Sequence, residues 1–218
     1  LRWFGEPLAL DQAFAQLHKP ASRSRMLIAV TFDDGYRDNY TLGRPIWNRH
    51  RVPITMFPAV APIDRGEWLW WDELQAIVGM AELHEDRVQR FLEVLAELAP
   101  GTAWAGNLTA QSAREEFGRF LFGRLVHATV ERCDAVLGEL AVHFGVSRPS
   151  RPAAIGQSPS SSAKADRLYI NWDELREMTE EGLHVGGHTV RHPRLPSETA
   201  ETANHEIADC RAALEERL

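Results

Sequence analysis

One stretch of the chain reads Met26-Leu27-Ile28-Ala29-Val30-Thr31-Phe32-Asp33-Asp34-Gly35, an apolar run that ends in two aspartates and a glycine. Such a run is typical of a strand buried on both faces, as in a parallel sheet. Folds of the α/β class place their functional sites where the carboxyl ends of such strands meet. We therefore predict an α/β fold in which Asp33 and Asp34 lie at the functional edge of a sheet.

The residues that follow complete a strand, helix and strand unit. Residues 38–50 are predicted to form a helix, although Gly43 and Pro45 weaken its middle. A second short apolar run at residues 53–57 predicts the next buried strand. Three elements within about 35 residues are typical of a βαβ unit.

The middle of the chain has a different pattern. Between Trp70 and Phe144 the apolar residues recur at helical spacing, which predicts one helix over 83–98 and a longer one from about Ala113 to Val136. Residues 147–165 are rich in proline and serine, which predicts a flexible tract. We therefore expect residues 68–165 to be a helical insertion, with residues 1–67 and 166–218 forming the two parts of one α/β domain.

The α/β pattern resumes after this tract. Asn171 is a predicted N-cap for a helix that ends at Gly182, and residues 183–187 predict a short strand. That strand leads into His188-Thr189-Val190-Arg191-His192, and a last helix is predicted over residues 198–218.

Two carboxylates and two imidazoles are enough to hold a divalent metal and leave one carboxylate as a base. Each motif also has a simpler interpretation, because Asp34-Gly35 is a common turn dipeptide and histidines occur at spacing four by chance. Adjacent aspartates that end a buried strand repel each other unless a cation compensates, and this favours the metal. The residues alone do not indicate whether Asp33 or Asp34 is the ligand and which of them accepts a proton.

Composition excludes some classes of function. With 218 residues and 44% hydrophobic content, the chain is long enough for one substantial core. A net charge of −7 argues against a nucleic-acid partner, and no run approaches the length of a membrane span. Cys133 and Cys210 are predicted to be free thiols within helices. No signal peptide is seen in the chain, so the cytoplasm is only the default expectation, and the oligomeric state stays open.

The two motifs together resemble those of the polysaccharide deacetylase family, the NodB-type carbohydrate esterases. Residues 31–35 resemble the first motif, and residues 188–193 resemble the second, H-[ST]-x-x-H. The resemblance implies a partial (β/α) barrel, a carbohydrate substrate, and hydrolysis of N-acetyl or O-acetyl groups. It implies that Asp33 is the general base and that Asp34, His188 and His192 are the ligands of zinc or a similar divalent metal, such as cobalt.

The sequence departs from the family pattern after His192. The resemblance leads us to expect an Arg-containing motif, an aromatic-Pro-Gly turn and a late histidine, and none of them follows before Leu218. We therefore expect the front part of a deacetylase domain, in which the general acid and the oxyanion hole are missing. Two other functions stay open: a catalytically weak or inactive glycan-binding or scaffold protein of the same fold, and a hydrolase of a non-sugar C–N bond.

Overall fold

The computed structural model describes residues 4–17, 26–101, 104–107, 112–149 and 167–218. The chain divides into two compact units. The first consists of Leu1–Gly66, Ala154–His192 and His205–Leu218, and the second of Glu67–Ala153 and Pro193–Asn204. Most of the predicted flexible tract over 147–165 lies outside the described residues. The predicted assignment of residues 68–165 as an insertion stays a prediction.

The first unit is built on a sheet of four parallel strands. In chain order and in spatial order these are β1 (Gly5–Leu8), β2 (Met26–Asp34), β3 (Ile54–Pro58) and β4 (His184–Val185). The predicted α/β class and both predicted strands are therefore confirmed, but only β3 is mostly buried, whereas the residues of β2 are half-buried or exposed. In the register, Asp34 lies opposite Pro58, and Met56 lies opposite Val185. Because all strands are parallel, the ends of β2, β3 and β4 meet at one edge.

Helices connect and cover these strands. They are α1 (Leu10–Leu17), α2 (Arg44–His50), α3 (Val60–Arg65), α8 (Trp172–Glu180) and α9 (Ala200–Arg217), the last of which belongs to this unit from His205 onward. The helix predicted over 38–50 is confirmed, and its first part is a π-helix at Asn39–Gly43 that leads directly into α2. Pro45 accounts for the irregular turn because proline has no N–H to donate to the regular hydrogen bonds of an α-helix. The first turn of α2 tolerates proline because its N–H groups have no partner within the helix.

The core of this unit lies beneath the functional edge of the sheet. Met56 and Leu175 are fully buried, and the cluster around them combines residues of β3, α8 and α9. The predicted N-cap of α8 is confirmed as a capping box: Asn171 Oδ1 accepts from Glu174 N at 2.8 Å, and Glu174 Oε2 accepts from Asn171 N at 3.2 Å.

The segment before α8 is hydrogen-bonded to the turn after β2. Ile170 N donates to Gly35 O at 3.0 Å, and Arg37 N donates to Leu168 O at 2.8 Å. The Arg37 guanidinium also donates to the buried carboxylate of Glu174 at 3.0 Å. These bonds hold the Asp33-Asp34-Gly35 turn against a part of the chain that is distant in sequence.

The second unit is helical. It contains α4 (Trp70–Met80), α5 (Glu85–Leu98), α6 (Ala113–Leu125) and α7 (Val130–Phe144) around a core that includes Phe91, Phe117 and Leu140. The described residues between 70 and 144 contain no strand, as the spacing predicts. The single long helix predicted from Ala113 to Val136 is wrong, because Thr129 caps a new helix by accepting from Arg132 N at 3.3 Å. Apolar spacing continues through this break and hides it.

None of the helices in the described parts of the chain is long and apolar enough to cross a membrane. Both cysteines are buried and free, as predicted.

Candidate metal centre

The first motif ends β2 with a sharp reversal of the backbone. Asp34 has φ +67° and Gly35 has φ +84°, so two successive residues are left-handed. Gly35 N donates to Asp33 O at 2.7 Å, which closes the turn. A Cβ on Gly35 would approach Pro58 Cβ to 3.1 Å, so the turn needs glycine for its backbone angle and for its packing. The reversal leaves the Asp33 side chain exposed and buries Asp34 Oδ1.

The second motif follows β4 across the glycine pair. A Cβ on Gly186 would overlap the ring of Phe57, and one on Gly187 would lie 3.0 Å from Cys210 Sγ. Both glycines therefore allow the close packing that the sequence indicates. As a result, His188 lies directly beyond the edge of the sheet.

Backbone hydrogen bonds attach the second motif to the end of β3 and the start of α3. His188 N donates to Pro58 O at 3.3 Å, Val60 N donates to Thr189 O at 3.2 Å, and Ala61 N donates to Val190 O at 2.8 Å. The loop therefore continues the pairing of β3 with β4 beyond the end of both strands. Because β3 also pairs with β2, the loop that contains the histidines and the end of β2 that contains Asp34 both lie beside the end of β3.

The loop contains strained backbone. Thr189 has φ +64° and His192 has φ +56°, and such angles cost roughly 1–3 kcal/mol for residues other than glycine. Thr189 is β-branched, for which a positive φ is an outlier. Its hydroxyl donates to His188 O at 2.5 Å and accepts from His192 N at 3.0 Å. Strain of this kind persists where surrounding contacts enforce it, and it is concentrated at functional sites.

The structure brings together Asp34, His188 and His192. Asp34 Oδ1 lies 3.5 Å from His188 Nε2 and 3.4 Å from His192 Nε2, and one donor atom from each residue lies within 4.8 Å of the others. Ligands about 2.1 Å from a tetrahedral zinc ion are separated by about 3.4 Å, so this spacing fits a metal. All three side chains are 20–32% exposed, which leaves one side open.

The electrostatics favour the neutral, metal-binding form of His192. Burial is the largest effect and lowers the pKa of His192 below its usual value, and the neighbouring His188 lowers it further. The carboxylates of Asp34 and Asp33 act in the opposite direction. A neutral imidazole has the free nitrogen lone pair that a metal requires.

Asp33 lies outside the donor group. It is the penultimate residue of β2 and is exposed, whereas Asp34 contributes to the half-buried donor group. Its charge nevertheless influences the pKa of His192, so Asp33 lies in the electrostatic environment of the site. The role of base predicted for Asp33 stays a prediction.

One further residue of the site was not predicted from the sequence. Glu206 of α9 is buried, and its carboxylate accepts hydrogen bonds from the loop between the two histidines. It shares a helix face with Cys210 and Leu214, which are also buried and follow at intervals of four residues. The spacing of four residues between Glu206 and the apolar residues Cys210 and Leu214 is the sequence signal that could have identified Glu206 as buried.

Comparison with known proteins supports the second motif. A family model described as polysaccharide deacetylase matches residues 150–218, a segment that includes both histidines and Glu206 but not the aspartates of the first motif. No curated protein and no solved structure matches the chain. The predicted resemblance is confirmed over the matched residues, so the C-terminal third of the chain is similar to the polysaccharide deacetylase family.

Proposed function

We propose that the protein is a metal-dependent hydrolase that removes acetyl groups from N-acetylated or O-acetylated sugars of a polysaccharide or glycoconjugate. The observation that carries this proposal is the convergence of Asp34, His188 and His192 at the carboxyl edge of a parallel sheet. The family match over residues 150–218 supports the carbohydrate substrate and the deacetylation reaction.

Zinc is the metal we propose for the site, with cobalt as a substitute. One carboxylate oxygen and two imidazole nitrogens are common zinc donors, and three protein ligands leave a position for water, as in catalytic zinc sites. The bound metal would lower the pKa of that water to about 7 and polarise the acetyl carbonyl. Within this chain, the task of Asp34, His188 and His192 is to hold the donor geometry.

Asp33 is the residue we propose as the general base. Its carboxylate is exposed, it is adjacent in sequence to Asp34, and it acts electrostatically on His192. An ionised carboxylate beside the site can accept the proton of the water that attacks the acetyl carbon. The two aspartates would then have separate tasks, which the left-handed turn at Asp34 makes feasible by directing their side chains apart.

We also propose the finer architecture that the family resemblance implies. Four parallel strands with helical crossovers support a partial (β/α) barrel. The helices α4 to α7 support an insertion over residues 68–165 in a domain formed by residues 1–67 and 166–218.

Metal binding tests the proposal directly. We expect the wild-type chain to bind one equivalent of zinc or cobalt and His192→Ala to bind it at least about 100-fold more weakly, because loss of an outer-shell partner alone costs 10–100-fold. His50→Ala is the matched control, since His50 is exposed at the end of α2. The measurement is isothermal titration calorimetry of metal-free protein. Equal affinities for wild type and His192→Ala would overturn the assignment of the site.

A further inference from the structure

The buried carboxylate of Glu206 lies in α9, outside the donor group for the metal. Glu206 is 3% exposed. Its Oε2 atom accepts from Val190 N and Arg191 N, both at 2.8 Å, and its Oε1 atom accepts from Arg191 Nε at 2.9 Å. Both oxygens are therefore engaged by the second motif.

These donors have a common origin. All three belong to Val190 and Arg191, two of the three residues between His188 and His192, and two of the donors are main-chain amides. A buried charge is costly unless hydrogen bonds compensate it. Moving the loop away from Glu206 would leave its buried carboxylate uncompensated, so the two stay together in the folded protein. The carboxylate thus fixes the short backbone bridge between the two imidazoles.

The loop needs such a restraint. Thr189 and His192 have left-handed backbone, a conformation that a free loop would leave. The bonds to β3 and α3 attach the loop through the amide of His188 and the carbonyls of Thr189 and Val190. None of those bonds uses the amides of Val190 and Arg191. Glu206 accepts a hydrogen bond from each of these two amides and so attaches this part of the loop.

We propose that Glu206 is a positioning residue for the metal centre: its carboxylate holds the Val190–Arg191 bridge and thereby sets the separation of the His188 and His192 imidazoles. This inference rests on the proposed function. The three hydrogen bonds of Glu206 are made with Val190 and Arg191, so its effect on the imidazoles passes through the backbone of the loop.

Glu206→Gln is the primary variant, because it removes the charge with almost no change of volume. Glu216→Gln is the matched control on an exposed position of the same helix. We expect Glu206→Gln to bind cobalt about 10–100-fold more weakly, the usual cost of losing an outer-shell partner, and to show an altered visible absorption spectrum of the bound ion. The control should match the wild type in both measurements.

Hydrogen exchange of the metal-free protein provides a second readout. The amides of Val190 and Arg191 should exchange faster in Glu206→Gln than in wild type, because their acceptor is weakened. If Glu206→Gln fails to fold, Glu206→Asp replaces it: the charge remains but the shorter side chain cannot keep all three bonds. The cobalt affinity of Glu206→Asp should then be lower than that of the wild type, by less than the loss of about 10–100-fold expected for Glu206→Gln.

Unchanged cobalt affinity and an unchanged spectrum in a folded Glu206 variant would overturn the positioning role, even if thermal stability fell. If the wild-type chain binds no metal, the proposed function fails, and unchanged exchange at Val190 and Arg191 would then reject the role of Glu206 independently.

Discussion

The adjacent residues Asp33 and Asp34 have the same chemistry and different environments. The left-handed backbone of Asp34 buries its Oδ1 atom near two imidazoles, whereas Asp33 is exposed. Environment, rather than residue type, therefore separates the metal ligand that we propose from the base. This separation leads to a test at the scale of one residue.

Replacing Asp33 by asparagine should remove the base and keep the metal site. We expect acetate release from acetylated glucosamine oligomers or acetylated xylan fragments to fall by about 10² to 10⁴-fold, because a positioned acid or base contributes this much. Cobalt affinity should stay within a few-fold of wild type.

The control for this substitution is Asp38→Asn, which changes an exposed aspartate four residues beyond Asp34. Acetate release that is equal in Asp33→Asn, Asp38→Asn and wild type would reject the role of Asp33. Loss of metal binding in Asp33→Asn would instead indicate that Asp33 is a metal ligand.

Glu206 shows where sequence reasoning was insufficient at this scale. The motifs that contain Asp34, His188 and His192 follow apolar strands or glycines, and the structure brings these three residues together, although the residues alone left open which aspartate joins the histidines. Glu206 lies in a helix that also carries Glu201, Glu215 and Glu216, which are exposed. Only its spacing with the buried residues Cys210 and Leu214 sets Glu206 apart from these acids, and its partners, two main-chain amides and the Arg191 side chain, belong to no acid-binding motif.

At the scale of elements, the strands and helices that could be predicted are those with a clear local pattern of apolar residues. The runs of β2 and β3 are largely apolar and uninterrupted, and these strands could be predicted. Strand β1 has four residues including Pro7, which is tolerated at the edge of a sheet but weakens the pattern of a strand. The break between α6 and α7 depends on one cap at Thr129, while the apolar spacing continues across it.

Helix α8 provides a test at this scale. Replacing Asn171 by alanine should lower the free energy of unfolding by about 1 kcal/mol, because the amide of Glu174 loses its acceptor. Asn171→Asp should retain the stability, since aspartate caps helices as well as asparagine does. Urea unfolding followed by circular dichroism measures both variants, and equal losses in the two would show that the cap itself contributes nothing.

At the scale of the whole molecule, the three proposed ligands come from distant parts of the chain. Asp34 follows β2, whereas His188 and His192 follow β4. A metal that binds this arrangement binds only the folded state, because the unfolded chain does not hold the three donors together. Metal binding and folding of the first unit are therefore linked.

Metal removal should make this linkage visible. At a zinc concentration about 100 times the Kd, we expect about 2.7 kcal/mol of stabilisation, or roughly 10 °C in the unfolding transition of the first unit. Adding a chelator should reverse the shift. Differential scanning calorimetry measures it, and His192→Ala should show the same transition with and without zinc. An equal shift in that variant would place the stabilising metal elsewhere.

The pairing of β3 with β4 also has a consequence for the order in which the chain is made. Thr55 and His184 are register partners separated by about 130 residues. Ribosomes add about 5–20 residues per second, so the nascent chain carries β3 without its later neighbour for on the order of ten seconds. During that interval the backbone of Ile54–Pro58 has an open edge, and apolar edges of this kind associate with other chains. The histidines can therefore reach Asp34 only after this edge of β3 has stayed unpaired through the synthesis of the intervening residues.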